Sequence, residues 1–396
     1  MTSSIDHMTD HPTTLSFLRD LIAFPTVSRD PNRDLIDYCA GYLRSIGASV
    51  DIIPAEAGRK ANLYATIGPQ DIPGVMLSGH TDVVPVDGQA WSKPPFEAVV
   101  EDGRVYGRGT ADMKGFVASA LYCASKAAER QLETPLHLAL SHDEEIGCVG
   151  VHSLIDMLAD APVTPAMCIV GEPTSMVIAT GHKGKTAIEA TCIGSVAHSA
   201  LAPQAVNAIH LACDLIEQIR HLQDDIAVNG VQDTAYDIPY TTLHAGLVSG
   251  GIVLNIVPHH AVVTFEIRNL MSDDPKKILQ RLRDVMTPVI ATAHQRAPHA
   301  DIAFKVTNSY PGLDTPLDNC VVKMLAELTS SDQRVKVAFG TEGGLFSQKL
   351  GIPTVVCGPG SMEQGHKADE FVTLEQLAAC NKMLEALIDR LEEGVG

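Results

Sequence analysis

The stretch "SGHTDVVP", residues 78–85, sets His80 and Asp82 two residues apart at the end of an apolar run. An imidazole and a carboxylate at that spacing suit either a satisfied polar turn or one piece of a metal site, and a short motif alone does not separate the two. Groups of the same kind recur down the chain. Asp112 stands in "YGRGTADMKG", Glu144 and Glu145 in "SHDEEIGCVG", Glu172 in "GEPT" and His366 in "GSMEQGHKADEF". Histidine and carboxylate ligands without cysteine suit hydrolytic zinc, manganese or cobalt. So many acids in one cleft would repel one another strongly unless cations sat among them. Their number points to two ions about 3.5–4 Å apart. "GRG" could be a phosphate loop, but Asp112 occupies the place where a dinucleotide fingerprint needs glycine. "DEE" could open a solvated helix and "GEPT" could be a plain turn. Five such coincidences, all at strand ends, are not expected by chance.

The elements that must position these groups follow from the apolar pattern. "VMLSG", "LHLALS", "AMCIVG" and "PTVVCG" read as strands. "TTLSFLRDLIAFP" reads as a helix capped by Thr13 or Thr14 and stopped before Pro25. "GFVASALYCASKAAERQ" and the closing "TLEQLAACNKMLEALIDRLEE" are helices too. In the last, Leu377, Cys380, Leu384, Leu387, Ile388 and Leu391 form one apolar face, and Thr373 with Gln376 makes a capping-box pattern. Strands alternating with helices mean an α/β domain with a mostly parallel sheet. Such sheets bind ligands beyond the carboxyl ends of their strands, where the histidines and acids fall.

The middle of the chain has another rhythm. "KTAIEATCIGS" and "AVVTFEIRNL" alternate like half-exposed strands. "VNAIHLACDLIEQIRHL" and "DPKKILQRLRDVMTPVI" are amphipathic helices, the second with Asp274 as cap and Pro275 at its first position. With "TTLHAGLVSG" and "DIAFKVTNSY" the order is β-α-β-β-α-β, the ferredoxin-like pattern. The expectation is a parallel-sheet domain over 1–183 and 311–396, interrupted by an inserted ferredoxin-like α+β domain at 184–310.

Composition bounds the partners. The 396 residues carry 29 Lys plus Arg against 48 Asp plus Glu, a net charge of −19. That argues against nucleic acid and anionic membranes, which attract basic patches, and would favour a cationic ligand. No apolar stretch approaches the ~20 residues of a membrane span. "MTSSIDHMTDHPTT" lacks the basic and apolar regions of a secretory signal. The nine cysteines are scattered singly, as in reduced thiols of a cytoplasmic protein.

The chain resembles the dinuclear zinc aminoacylase and carboxypeptidase superfamily. The likeness runs from "LIAFPTVS" through "SGHTDVVP", "GRGTADMKG", "HDEEIGCVG" and "GEPT" to "GPGSMEQGHKADEF". Within that group it is most similar to the acetylornithine deacetylases, on "GTADMKGF", "GEPTS", "HKG" and "TEGG". The resemblance implies that His80 and Glu172 bind one zinc, Glu145 and His366 the other, and that Asp112 bridges them. It implies that Asp82 accepts the second ring N–H of His80 and that Glu144 is the general base. It further implies a homodimer joined through the inserted domain, with His198 reaching the partner's site and Asn255 and Arg268 holding an N-acyl amino acid. The side-chain pocket is less defined. Glu342 in "FGTEGGLF" could meet an ornithine ammonium or be a buried acid satisfied by backbone, and "TEGG" departs from the "TEAP" of some relatives. A succinyl-diaminopimelate desuccinylase, another hydrolase of the group and a metal-dependent binding protein are the rival readings. The free carboxylate of Glu144 beside Glu145 speaks against the last.

Overall fold

The computed structural model describes residues 12–395, so most of the stretch read above for a leader lies outside the described residues. The chain forms two compact units. The first takes the described residues through Thr180, then Thr315–Arg334 and the chain from Thr341. The second takes Gly181–Asp314 and Val335–Gly340.

In the first unit a sheet runs in the order Ser49–Ala55, Lys60–Ile67, Leu136–Ser141, Val75–His80, Met167–Pro173, Thr354–Gly358 and Ile178–His182. The four strands from Leu136–Ser141 to Thr354–Gly358 are parallel to their neighbours. The strands beyond them pair antiparallel. Every residue of those four is buried, as strands covered on both faces must be. This is why "VMLSG" and "LHLALS" show no alternation.

The helices stop and start where their caps dictate. Thr13 caps Thr14–Ala23, and its exchange of hydrogen bonds with Ser16 forms a reciprocal box that "TTLS" does not advertise. In the closing helix Leu374–Glu393 all six residues of the expected apolar face are buried. Its box is only half formed. Thr373 accepts from the Gln376 amide at 3.1 Å, but the Gln376 side chain turns away to accept from Gly360 at 3.2 Å. Gln376 thereby ties the helix to the loop that leads to His366.

The second unit orders its strands Thr242–Gly250, His260–Asn269, Gly184–Ile193 and Asp301–Tyr310, all antiparallel to their neighbours. Taken in chain order they lie second, third, first and fourth, which is the split β-α-β arrangement. Gly184–Ile193 and His260–Asn269 alternate buried and part-exposed residues throughout. Asp274 accepts from the Lys276 amide at 2.9 Å at the head of Pro275–His294. Val335–Gly340 joins this unit although the strand-helix rhythm gives no sign of it. Lys336 explains the capture, with Asp233 at 2.7 Å and Asp314 at 2.6 Å.

One glycine couples packing to the candidate site. Gly171 adjoins Glu172 in Met167–Pro173, and a Cβ there would lie 1.9 Å from the Phe116 ring. Phe116 sits on the helix Lys114–Ala128 that starts just after Asp112. Gly171→Ala should therefore lower stability by about 1–3 kcal/mol, the range of overpacked cores, measured as a drop in denaturation midpoint.

Candidate metal centre

Five side chains converge at one end of the parallel strands, all within the first unit. His80 is the last residue of Val75–His80, and Glu172 lies near the end of Met167–Pro173. Glu145 follows Leu136–Ser141 by four residues. Asp112 sits on the turn before Lys114–Ala128, and His366 on the loop after Thr354–Gly358.

Their atoms form two triads that share one carboxylate. His80 Nε2 is 3.0 Å from Asp112 Oδ1 and 3.7 Å from Glu172 Oε1. His366 Nε2 is 3.1 Å from Asp112 Oδ2 and 3.0 Å from Glu145 Oε2. In each triad the ligand atoms lie within 4.8 Å of one another, close enough to hold one cation. The two oxygens of Asp112 face different triads.

The electrostatics of the bare cluster call for positive charge. Burial, then the charge of Asp112, pushes Glu145 up to about 7 and Glu172 well above the usual range. Burial also raises Glu144, up to about 8. For Asp112 burial acts upward, but hydrogen bonds from His366 and His80 outweigh it and hold it low. Hydrogen bonds to Asp112 and Glu145 raise His366 to about 10. Glu145 Oε1 is buried without a hydrogen-bond partner. An orphaned carboxylate oxygen, two imidazole nitrogens and no thiolate in either triad fit two divalent cations of borderline or hard character.

His80 departs from expectation in one respect. Its Nδ1 lies 2.9 Å from the Asp82 backbone oxygen and 3.6 Å from the Asp82 carboxylate. A carbonyl can only accept, so Nδ1 carries a proton, and Nε2, which lies against the Asp112 carboxylate, is the nitrogen left to face a bound cation. The Asp82 carboxylate instead accepts from Ser28 Oγ at 2.7 Å and from the amides of Glu144 at 3.1 Å and Glu145 at 3.3 Å. The backbone of Asp82 orients the histidine, and its side chain holds the turn that carries the two glutamates. The physical reason is reach: a carbonyl two residues on curls directly under the ring.

That turn has further supports that the sequence reading missed. Asp143 adopts a left-handed φ of 57°. Lys60 Nζ grips it at 2.7 and 2.8 Å and also donates to the Ser28 carbonyl at 2.6 Å. The Cys148 thiol donates to Glu144 Oε1 at 3.3 Å. Ser28 closes the quoted "LIAFPTVS", so a signal existed, but no chemistry attached to it. Glu342 is 2% exposed at the head of Gly343–Leu350, and one of its oxygens lacks a partner. Burial raises it to about 7, and His80, Asp82 and His142 are the charged groups acting on it.

His198, Asn255 and Arg268 belong to the second unit and take no part in the triads. His198 and Asn255 are exposed on paired loops, with the Ser199 amide donating to the Asn255 carbonyl at 3.0 Å. Arg268 is half-buried, its Nε donating to Glu266 at 3.0 Å and one Nη to the Tyr310 hydroxyl at 3.3 Å.

Residues 76–390 match the profile of Peptidase family M20/M25/M40. The chain belongs to that family. An acetylornithine deacetylase of Photorhabdus laumondii is 32% identical over 385 residues, spanning 96% of this chain and 97% of the relative. One from Pasteurella multocida is 33% identical over 390 residues, spanning 97% and 99%. Among solved structures, an M20 family metallo-carboxypeptidase from Sulfolobus solfataricus superposes with a TM-score of 0.76 at 19% identity, covering 97% of this chain and all of that one. A dinuclear metal binding peptidase of the M20 family from Bacillus subtilis reaches 0.65 at 18% identity, covering 96% and 98%. At those identities the structures speak for the fold, a mixed α/β architecture with a mostly parallel central sheet. Among the described residues no helix is long and apolar enough to cross a membrane.

The shared carboxylate sets an order of severity. In metal analysis after dialysis, His80→Ala and His366→Ala should each lose about one ion per chain. Asp112→Ala should lose both, because one bridging group serves two ions. Full metal in either histidine variant would refute the two-triad arrangement.

Proposed function

We propose that this chain is a cytoplasmic dinuclear zinc amidohydrolase that releases acetate and L-ornithine from N-acetyl-L-ornithine, a step of arginine biosynthesis. The observation that carries the reading is the pair of triads joined at Asp112 with an additional acid, Glu144, beside them. The near full-length likeness to acetylornithine deacetylases supports the substrate. Cobalt or manganese would satisfy the same donors.

The bound ions would supply Lewis acidity at the amide carbonyl and at the attacking water. The remaining work falls to side chains. Glu144 takes a proton from the water and returns it to the departing amine as the C–N bond breaks. Its companion Glu145 is committed to the His366 triad, so the two adjacent glutamates divide the roles of base and ligand. Arg268 pairs with the substrate α-carboxylate and fixes the scissile bond, with Asn255 assisting. Glu342 is the acid we assign to the substrate ammonium. His198 donates to the tetrahedral oxyanion.

We further propose that His198 acts in a second copy of the chain, in a homodimer joined through the second unit. Thr242–Gly250 is an edge strand there. Leu247 and Val248 on it, with Ile252 and Leu254 in the loop beyond, are exposed apolar side chains. Exposed apolar edges are surfaces that another strand covers.

Glu144→Ala should keep its metal and fold and lose about 10²–10⁴-fold in kcat. His198→Ala should be nearly inactive with metal intact. Mixing the two variants under subunit exchange should restore about a quarter of wild-type activity, because half the dimers then carry one complete site. Exchange without recovery would exclude action in trans.

A substrate panel tests the rest. N-acetyl-L-ornithine should show a higher kcat/KM than N-acetyl-norvaline, which lacks the ammonium. Glu342→Gln should shrink that preference about tenfold, or roughly 1.4 kcal/mol. A succinylated diamino acid as best substrate would make the chain a desuccinylase, and an apolar acyl amino acid would make it an aminoacylase.

A further inference from the structure

Arg108 and Glu370 are large charged groups with no part in either triad, yet their side chains are 1% exposed. Arg108 Nη1 donates to Glu370 Oε2 at 2.6 Å. Glu370 also accepts from three amides of the loop that carries Asp112. Oε2 takes the Gly109 amide at 3.0 Å, and Oε1 takes the amides of Ala111 at 2.9 Å and Asp112 at 3.0 Å. Its own amide-bearing loop is that of His366, four residues earlier in the chain.

Arg108 reaches the other way. Its Nη1 donates to the Lys367 carbonyl at 3.3 Å and its Nη2 to Gln89 Oε1 at 2.5 Å. Gln89 Nε2 then donates to the carbonyl of His366 itself at 3.0 Å. The guanidinium lies 5.0 Å from the Trp91 ring centre, and the Trp91 indole N–H shares Gln89 Oε1 at 3.0 Å. A continuous chain of hydrogen bonds thus runs from the Asp112 amide through Glu370, Arg108 and Gln89 to the His366 carbonyl.

His366 needs such support. Its side chain is 45% exposed and its φ is 61°, while Asp369 has a φ of 55°. Non-glycine residues in the left-handed region carry strain that surrounding contacts must hold. Asp369 is held separately, accepting from the amides of Ser92 at 2.9 Å and Lys93 at 3.3 Å. Stability alone does not account for the pair. Replacing a buried ion pair with apolar groups is often neutral or favourable, and Arg108 Nε is buried without a partner.

We propose that Glu370, Arg108 and Gln89 are positioning residues that set the separation of Asp112 from His366, and so the affinity of the triad those two share with Glu145. The proposal rests on the reading of those residues as metal ligands. Zinc titration of chelator-stripped protein by calorimetry, with melting of the stripped protein alongside, tests it. Wild type should bind two ions. In Gln89→Ala, which removes only the outer link, the stripped protein should melt as wild type does. One ion should bind about threefold more weakly or worse, with the other unchanged. In Glu370→Gln, whose amide cannot accept from all four donors, the same ion should weaken about tenfold or more, as when the partners of metal ligands are removed. A purely structural pair would lower the Glu370→Gln melting temperature and leave both affinities at wild-type values, and that result overturns the proposal. If Glu370→Gln does not fold, Gln89→Ala decides, and unchanged affinities overturn it. Fewer than two ions in wild type would defeat the metal reading itself, and this inference with it.

Discussion

Mutual repulsion of buried carboxylates is the constraint around which the first unit is organised. Asp112, Glu145 and Glu172 point into one desolvated space with His80 and His366 to oppose them. Glu144 stands beside them, its pKa raised by burial. Charged groups held this close are unfavourable by themselves, and cations among them would relieve the repulsion. Asp112 is the pivot because each of its oxygens serves a different triad.

Holding such a cluster requires a frame stiffer than the repulsion. The four parallel strands provide it, since every residue in them is buried. His80 and Glu172 sit directly on those strands and need little else. Glu144, Glu145, Asp112 and His366 stand on turns, and each turn has its own clamp. The Asp82 carboxylate and the Lys60–Asp143 pair secure the glutamate turn. Glu370 secures the Asp112 loop through three amides. Loops carry the chemistry, and buried ions in polar company keep the loops in place.

The second unit serves a different need. Its sheet is covered on one side, so its strands alternate, and its edge strand leaves apolar groups in the open. Asn255 and His198 lie on exposed paired loops. Arg268 is more firmly held, by Glu266 and Tyr310.

Sequence alone carried the periodicities, and these determined most of the architecture. Continuous apolar runs meant parallel buried strands, alternation meant the antiparallel sheet, and Asp274-Pro275 marked a helix start to the residue. The ligand types were legible too, because metal chemistry narrows the choice to a few side chains placed at strand ends. What the sequence could not decide was which atom of a residue does the work. Asp82 was read as a carboxylate behind His80, yet its carbonyl takes that place and its carboxylate faces the glutamate turn. Gln376 and Val335–Gly340 likewise went to partners far along the chain. Glu370 and Arg108 were quoted within motifs without a role, since 262 residues separate them and only folding brings them to 2.6 Å. Local pattern follows from short-range sterics and burial, which a sequence displays. Hydrogen-bond partnership depends on distance in space, which only the tertiary structure supplies.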